Sequence, residues 1–179
     1  MLILLRHAKS SWADPELGDH DRPLNKRGKA AAPAMGTWLS QAGYRPDRVL
    51  VSSSRRTRQT VDRMRETMPD LPAAEVEPRL YHAEPDMMFD ILSRQPDAAQ
   101  TVLLVGHQPG LSAFARRLVN GQVRPHCVQA FQHFPTAAAA VMLLPIFQWG
   151  ALSPGSAEFI DFAVPREVMA NQIERAIAV

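Results

Sequence analysis

The chain begins with a short apolar run, residues 2–5, that ends in the pair Arg6-His7. An apolar run without polar alternation is typical of a strand that is covered on both faces, as in a parallel sheet. In open α/β sheets, ligands bind beyond the carboxyl ends of the strands. The start of the chain therefore predicts a buried strand that places Arg6 and His7 where such a fold carries its functional site.

Apolar runs alternate with segments of helical periodicity along the rest of the chain. Buried strands are predicted over residues 48–52 and 101–106, a peripheral strand over 75–78, and further strands over 139–144 and 158–163. Helices are predicted over residues 25–42, 55–68, 85–95 and 111–121, and from Pro165 onward. Asn25 is a suitable N-cap, while Pro33 predicts either a helix start near Lys29 or a bend. The alternation predicts an α/β fold, a three-layer α/β/α sandwich with a mostly parallel sheet.

Length and composition limit the class of protein. We predict a single domain over residues 1–179, since no repeat or linker divides the sequence. A net charge of only +2 argues against a protein built to bind nucleic acid. No segment approaches bilayer-spanning length, and the first apolar run is shorter than a signal-peptide core, so we expect no membrane association and a cytoplasmic location. Cys127, the only cysteine, is predicted to be a buried structural thiol.

Three of the predicted strands end in residues that can bind or carry a phosphoryl group. They are Arg6-His7, residues 52–58 with Arg56, and Gly106-His107. In a parallel sheet these ends meet at the same edge. Arginine binds phosphate oxygens bidentately, and a neutral imidazole can take up a phosphoryl group covalently. A helix that begins near Arg55 would add free backbone N–H groups and its dipole.

Four motifs follow one another along the chain. They are Arg6-His7, Asp21-Arg22-Pro23-Leu24-Asn25-x-Arg27-Gly28, Ser53-x-x-Arg56-Thr57-x-Gln59-Thr60 and Val105-Gly106-His107-x-Pro109-Gly110. Together, and in this order, they resemble the histidine phosphatase superfamily, which has the phosphoglycerate-mutase-like fold. The second motif is similar to that of the short SixA-type phosphohistidine phosphatases. The resemblance covers residues 1–145 and departs at Ala8, where the common triplet has glycine, and at Ser54, where many relatives have proline.

The resemblance implies a mechanism and a set of site residues. His7 would attack phosphorus and carry the phosphoryl group as a covalent phosphohistidine, which water then hydrolyses. Arg6 and Arg56 would hold the phosphoryl oxygens, His107 would donate a hydrogen bond to them, and Arg22 is a weaker candidate for a phosphate ligand. No metal or other cofactor is implied. The other histidines lack metal-ligand spacing, so we expect surface or packing residues at His20, His82, His126 and His133.

The substrate is the open question at this stage. Sugar-phosphate members of the superfamily protonate the leaving group with a glutamate in a motif that this sequence lacks, and Glu84 and Asp21 are the candidates for a proton donor. An alkoxide leaving group needs such an acid, whereas phosphohistidine leaves as neutral imidazole once its ring is protonated. The chain also lacks the large insertions that cap the site in small-molecule members. We therefore expect a phosphohistidine phosphatase that acts on proteins and is a monomer or weak oligomer.

Two other functions stay open. A small-molecule phosphomonoesterase would use Glu84 or a loop aspartate as its acid. A non-catalytic phosphate-binding regulatory module would need no nucleophile, so the presence of both His7 and His107 argues against it.

Overall fold

The computed structural model describes residues 1–177, which are organised around a seven-stranded sheet. Its strands are β1 (Leu2–Arg6), β2 (Arg48–Ser52), β3 (Ala74–Glu77), β4 (Val102–Gly106), β5 (Val119–Val123), β6 (Ala139–Leu143) and β7 (Ala157–Ala163). The strand order is β3-β2-β4-β1-β6-β7-β5. Neighbouring strands from β3 to β1 are parallel, as are β5 and β7, whereas β6 is antiparallel to both β1 and β7. The predicted, mostly parallel sheet is confirmed.

Helices cover both faces of the sheet. They are α1 (Lys26–Gln41), α2 (Arg55–Met64), α3 (Pro85–Ser93), α4 (Gly110–Leu118) and α5 (Pro165–Ile177). Ile3 and Leu5 pack with α1, α2 and α5, while Leu2 and Leu4 pack with α3 and α4. The first apolar run is thus covered on both sides, which confirms the three-layer sandwich. Among the described residues, no helix has the length and apolar character needed to cross a bilayer.

Three boundaries differ from those predicted from the sequence. α1 begins at Lys26 and continues through Pro33, so a start near Lys29 is wrong. α2 ends at Met64 rather than Met68, although Met68 is still buried in a turn beyond the helix. The segment predicted as the end of the fourth helix forms edge strand β5, a mostly exposed strand whose polar residues carry no apolar alternation. Cys127 is buried in the core as expected, and burial raises its pKa to about 12.

Candidate active site

The carboxyl ends of β1, β4 and β2 lie side by side. β1 and β4 are parallel with Arg6 opposite Gly106, and β4 and β2 are parallel with Val105 opposite Val51. The backbone N–H of His7 continues this pairing, because it donates to the Gly106 carbonyl at 3.1 Å. The three strand ends therefore meet at one edge of the sheet, as the sequence predicts.

His7 is buried at this edge, and its contacts define which ring nitrogen is free. Nδ1 lies 2.8 Å from the Ala8 carbonyl oxygen, which can only accept, so Nδ1 carries the hydrogen. Arg56 Nε donates to the other nitrogen, Nε2, at 3.3 Å. Burial, and then the charges of Arg56 and Arg6, lower the pKa of His7 to about 4. The imidazole is therefore neutral at physiological pH, with its lone pair on Nε2.

Arg56 connects both buried histidines to a loop carboxylate. It lies in the first turn of α2 and is 3% exposed. In addition to the bond to His7, its Nη2 donates to His107 Nδ1 at 3.3 Å and to Asp19 Oδ2 at 2.9 Å, and its Nη1 donates to the Asp19 carbonyl. A guanidinium with this many partners is fixed in position, which is what anion recognition by arginine requires.

Motif residues that follow Arg56 hold the neighbouring segments in place. Thr60 Oγ1 accepts a hydrogen bond from the Ala8 backbone N–H at 3.0 Å, and Gln59 Oε1 accepts one from the Leu24 N–H at 2.8 Å. Gln59 and Thr60 of the third motif thus attach α2 to the backbone on either side of the loop over residues 10–22.

His107 is the second buried imidazole, with its ring centroid 5.1 Å from that of His7. Its Nε2 lies 2.7 Å from Ser52 Oγ at the end of β2. Burial, and then the nearby His7 and Arg56, lower its pKa to about 2, so it is neutral. Because Arg56 can only donate, His107 Nδ1 accepts in this state and Nε2 donates to Ser52. The Ser52 hydroxyl can also donate, so it supports the tautomer in which Nδ1 donates to a bound anion.

Arg6 carries a donor that no protein group uses. Its Nη1 donates to the Phe134 carbonyl at 2.9 Å, but its Nε is buried and has no hydrogen-bond partner within residues 1–177. Burial and the neighbouring Arg56 lower the pKa of this guanidinium. A buried N–H without an acceptor costs about 1–3 kcal/mol, so an unpaired donor beside His7 is a feature expected of an anion site.

Asp19 is the carboxylate at the centre of this arrangement, and the sequence motifs did not identify it. Its Oδ2 accepts from Arg56 and from the Tyr81 hydroxyl at 2.7 Å, and its Oδ1 accepts from Arg22 Nη1 at 2.9 Å. Burial opposes ionisation, but the hydrogen bonds from Tyr81 and Arg56 outweigh it and hold the pKa of Asp19 below its usual range. The available signal was its spacing three residues before Arg22.

Arg22, the weaker candidate for a phosphate ligand, is engaged elsewhere. Its donors are used by the Ser11 carbonyl, Ser10 Oγ and Asp19, and its guanidinium carbon lies 3.1 Å from the centre of the Trp12 ring. The structure therefore places Arg22 behind Asp19, where it orders the loop.

Neither of the two candidate proton donors is hydrogen-bonded to the buried pair of histidines. Asp21 is exposed and lies 3.3 Å from His20 Nδ1. Glu84 is exposed at the N-cap of α3, and among the described residues its side chain has no hydrogen-bond or ion-pair partner.

Two histidines expected to be surface or packing residues border the site. The His82 ring stacks on His107 with centroids 5.3 Å apart, and its Nε2 lies 3.5 Å from Asp19 Oδ2. His20 contacts the edge of Tyr81. His126 and His133 are exposed elsewhere, and within residues 1–177 no group of three or more His, Cys, Asp or Glu side chains has the arrangement of a metal site.

Comparisons with known proteins identify a family and several similar structures. The model of the histidine phosphatase superfamily (branch 1) matches residues 2–84. An uncharacterised protein of Mycobacterium tuberculosis is 38% identical over 164 residues, which is 90% of this chain and 100% of that protein. A structure of a candidate phosphohistidine phosphatase SixA from Nakamurella multipartitia has a TM-score of 0.78 at 31% identity, covering 92% of this chain and 95% of that one. The corresponding candidate from Agrobacterium tumefaciens has a TM-score of 0.74 at 30% identity, covering 92% and 97%.

Proposed function

The chain belongs to the histidine phosphatase superfamily, and on this premise we propose that it hydrolyses phosphohistidine in proteins through a covalent intermediate on His7. The observation that carries the proposal is the state of His7. Its imidazole is neutral, Nδ1 is fixed by the Ala8 carbonyl, and the Nε2 lone pair faces the guanidinium of Arg56. This is the form of histidine that can attack phosphorus.

In the first step, His7 Nε2 forms a bond to phosphorus while the bond between phosphorus and the leaving group breaks. Arg56 Nε, which donates to Nε2 in the free protein, would transfer its hydrogen bond to a phosphoryl oxygen. The unpaired Nε of Arg6 supplies a further donor, and so does Nδ1 of His107 in the tautomer in which Ser52 donates to Nε2. Fixed donors stabilise the charge spread over the phosphoryl oxygens in the transition state.

In the second step, water attacks the phosphorus on His7 and inorganic phosphate leaves. The electron pair of the broken bond returns to Nε2, and Nδ1 keeps its hydrogen bond to Ala8 throughout. His7 therefore ends in the neutral tautomer in which it began, ready for another turnover.

The surroundings of His7 favour phosphohistidine over a phosphate ester. Esters need an acid at the bridging oxygen, and the carboxyl group nearest to the buried histidines, Asp19, is held ionised. The exposed Glu84 forms no hydrogen bond with either histidine. The rim formed by Tyr81 and His82 is solvent-accessible, as a phosphorylated side chain on a folded protein requires. The SixA structures, which are 30% and 31% identical, carry the same substrate in their names.

A substrate panel tests the proposal. Wild type, His7→Ala and a control variant of a distant exposed histidine, His126→Ala, are assayed against a phosphohistidine protein, a phosphoserine protein and a sugar phosphate. We expect wild type and His126→Ala to release phosphate mainly from phosphohistidine, and His7→Ala to lose at least about 1000-fold in kcat/KM. A labelled phosphoenzyme, stable in alkali and labile in acid, should form on wild type and be absent from His7→Ala.

Two results would contradict the proposal. Efficient hydrolysis of the sugar phosphate with phosphohistidine left intact would identify a small-molecule phosphomonoesterase. Full activity of His7→Ala would remove the covalent mechanism.

A further inference from the structure

Three imidazoles pack next to one another at the site, two of them buried and the third exposed at its mouth. His7 is 8% exposed, His107 is 3% exposed, and the His82 side chain is 55% exposed. The ring centroids of His7 and His107 are 5.1 Å apart, and those of His107 and His82 are 5.3 Å apart with planes inclined by 23°. The outermost ring, His82, has no role in the mechanism described so far.

The backbone of His82 is held in an unusual conformation. Its φ is +53°, in the left-handed region that only a few per cent of residues other than glycine adopt, although histidine is enriched there together with asparagine and aspartate. Such strain is found at functional sites, where the surrounding structure maintains it. Here it accompanies a side chain that stacks on His107 and approaches Asp19.

The two nitrogens of His82 have different surroundings. Nε2 lies 3.5 Å from Asp19 Oδ2, while Nδ1 has no hydrogen-bond partner among the described residues. The other groups at this rim are committed. Tyr81 donates its hydroxyl proton to Asp19, and His20 uses its nitrogens for Asp21 and Ser53. Among the described residues of this rim, His82 Nδ1 is thus a ring nitrogen that is free to bond to a substrate.

Phosphohistidine needs its proton at a particular place. The ring nitrogen bonded to phosphorus has its electron pair in the aromatic system, so protonation occurs on the second nitrogen, across the ring and away from the phosphoryl group. An acid that serves an ester must reach the bridging oxygen beside phosphorus. An acid that serves phosphohistidine must instead stand about one ring width further out, toward the mouth of the site.

We propose that His82 is the acid that protonates this distal nitrogen, a role that rests on the proposed phosphohistidine substrate. The His82 imidazolium donates from Nδ1 to the substrate ring as His7 attacks. The bond from phosphorus to the substrate nitrogen breaks, its electron pair stays on that nitrogen, and the substrate leaves as neutral histidine. His82 is left neutral, with Nε2 donating to the Asp19 carboxylate.

The same pair serves the hydrolysis step. The attacking water takes the place of the leaving nitrogen beside phosphorus, so its proton reaches His82 Nδ1 through a second water that fills the space vacated by the substrate ring, which restores the imidazolium beside Asp19. Protons balance over the cycle, because the proton given to the substrate histidine is replaced from water.

Leaving-group dependence tests this role. The substrates are a phosphohistidine protein and 4-nitrophenyl phosphate, whose nitrophenolate leaves without a proton at neutral pH. The variant His82→Asn keeps a residue that tolerates positive φ but cannot exchange a proton. The control is His126→Asn, since His126 is a comparably exposed histidine, 50% against 55%, that also pairs with an aspartate at 3.1 Å.

We expect His82→Asn to lose about 100-fold in kcat/KM on phosphohistidine and less than about threefold on 4-nitrophenyl phosphate, as general acid catalysis predicts. The control should change neither. His82→Gly, which suits the backbone and leaves space for a small base, should regain phosphohistidine activity when imidazole is added.

Equal losses on the two substrates would indicate that His82 only packs against His107, and unchanged phosphohistidine activity would show that solvent supplies the proton. Either result overturns this inference and leaves the proposed function intact. A wild-type protein that hydrolyses 4-nitrophenyl phosphate but not phosphohistidine would instead overturn the proposed substrate and, with it, the role of His82.

Discussion

The lowered pKa of His7 leads to a quantitative prediction for the pH dependence of the free energy of unfolding. Burial, with the charges of Arg56 and Arg6, lowers this pKa from 6.5 to about 4 in the folded protein. As the pH falls below 6.5, the unfolded chain binds a proton at His7 that the folded protein does not bind. The free energy of unfolding therefore decreases as the pH is lowered, and the decrease is complete below about pH 4.

The size of the effect follows from the two pKa values. One pH unit corresponds to about 1.4 kcal/mol, so the contribution of His7 is about 3 kcal/mol in full and about 2 kcal/mol between pH 7 and pH 5. His7→Asn removes this titration. Since His107 is present in both proteins, its own titration largely cancels in the comparison.

Urea unfolding of wild type and His7→Asn at pH 7 and pH 5 measures the difference. We expect the free energy of unfolding to fall between these pH values by about 2 kcal/mol more in wild type than in the variant. NMR titration of the imidazole carbons of His7 should give a midpoint near 4. A midpoint near 6.5, or the same pH dependence in both proteins, would refute the assignment of a buried, neutral nucleophile.

Two further predictions concern the supports of the site. Ser52→Ala removes the partner of His107 Nε2 and leaves a buried donor unpaired, so we expect a loss of about 1–3 kcal/mol in urea unfolding together with reduced kcat; an unchanged kcat would show that Ser52 does not orient His107. Gly110→Ala would place a Cβ 2.0 Å from the Ala83 carbonyl oxygen, next to His82, and should destabilise the protein by at least about 1–3 kcal/mol, whereas Gly18→Ala, with open space around it, should not.

The strand framework and the buried half of the site could be predicted from the sequence. Residues 2–5 and 102–105 are apolar on both faces of their strands, and such segments have few alternatives to a central parallel position. Once these strands are adjacent, the residues that follow them meet at one edge. The proximity of His7 and His107 is therefore a consequence of local sequence patterns combined with a simple rule of sheet topology.

The rim of the site could not be predicted in the same way. Asp19 meets Tyr81 across 62 residues of sequence; Asp19 begins a three-residue 3-10 helix and Tyr81 directly follows another, and such short turns leave no periodic signal. Their approach depends on how the loop over residues 10–22 is held by Arg22 and by the contacts of α2. The edge strand β5 was not predicted either, because its exposed polar residues form no apolar pattern.

The charges of the site explain why an imidazole rather than a carboxylic acid would supply the proton. Any carboxyl group within reach of Arg56 and Arg22 is stabilised in its ionised form, as Asp19 is, and cannot donate at neutral pH. An imidazole has two ring nitrogens, so His82 can give up a proton from Nδ1 while its Nε2 still faces Asp19 Oδ2 at 3.5 Å. The guanidinium groups of Arg56 and Arg22 thus exclude a carboxylic acid here, and the imidazole that faces Asp19, His82, is the remaining candidate.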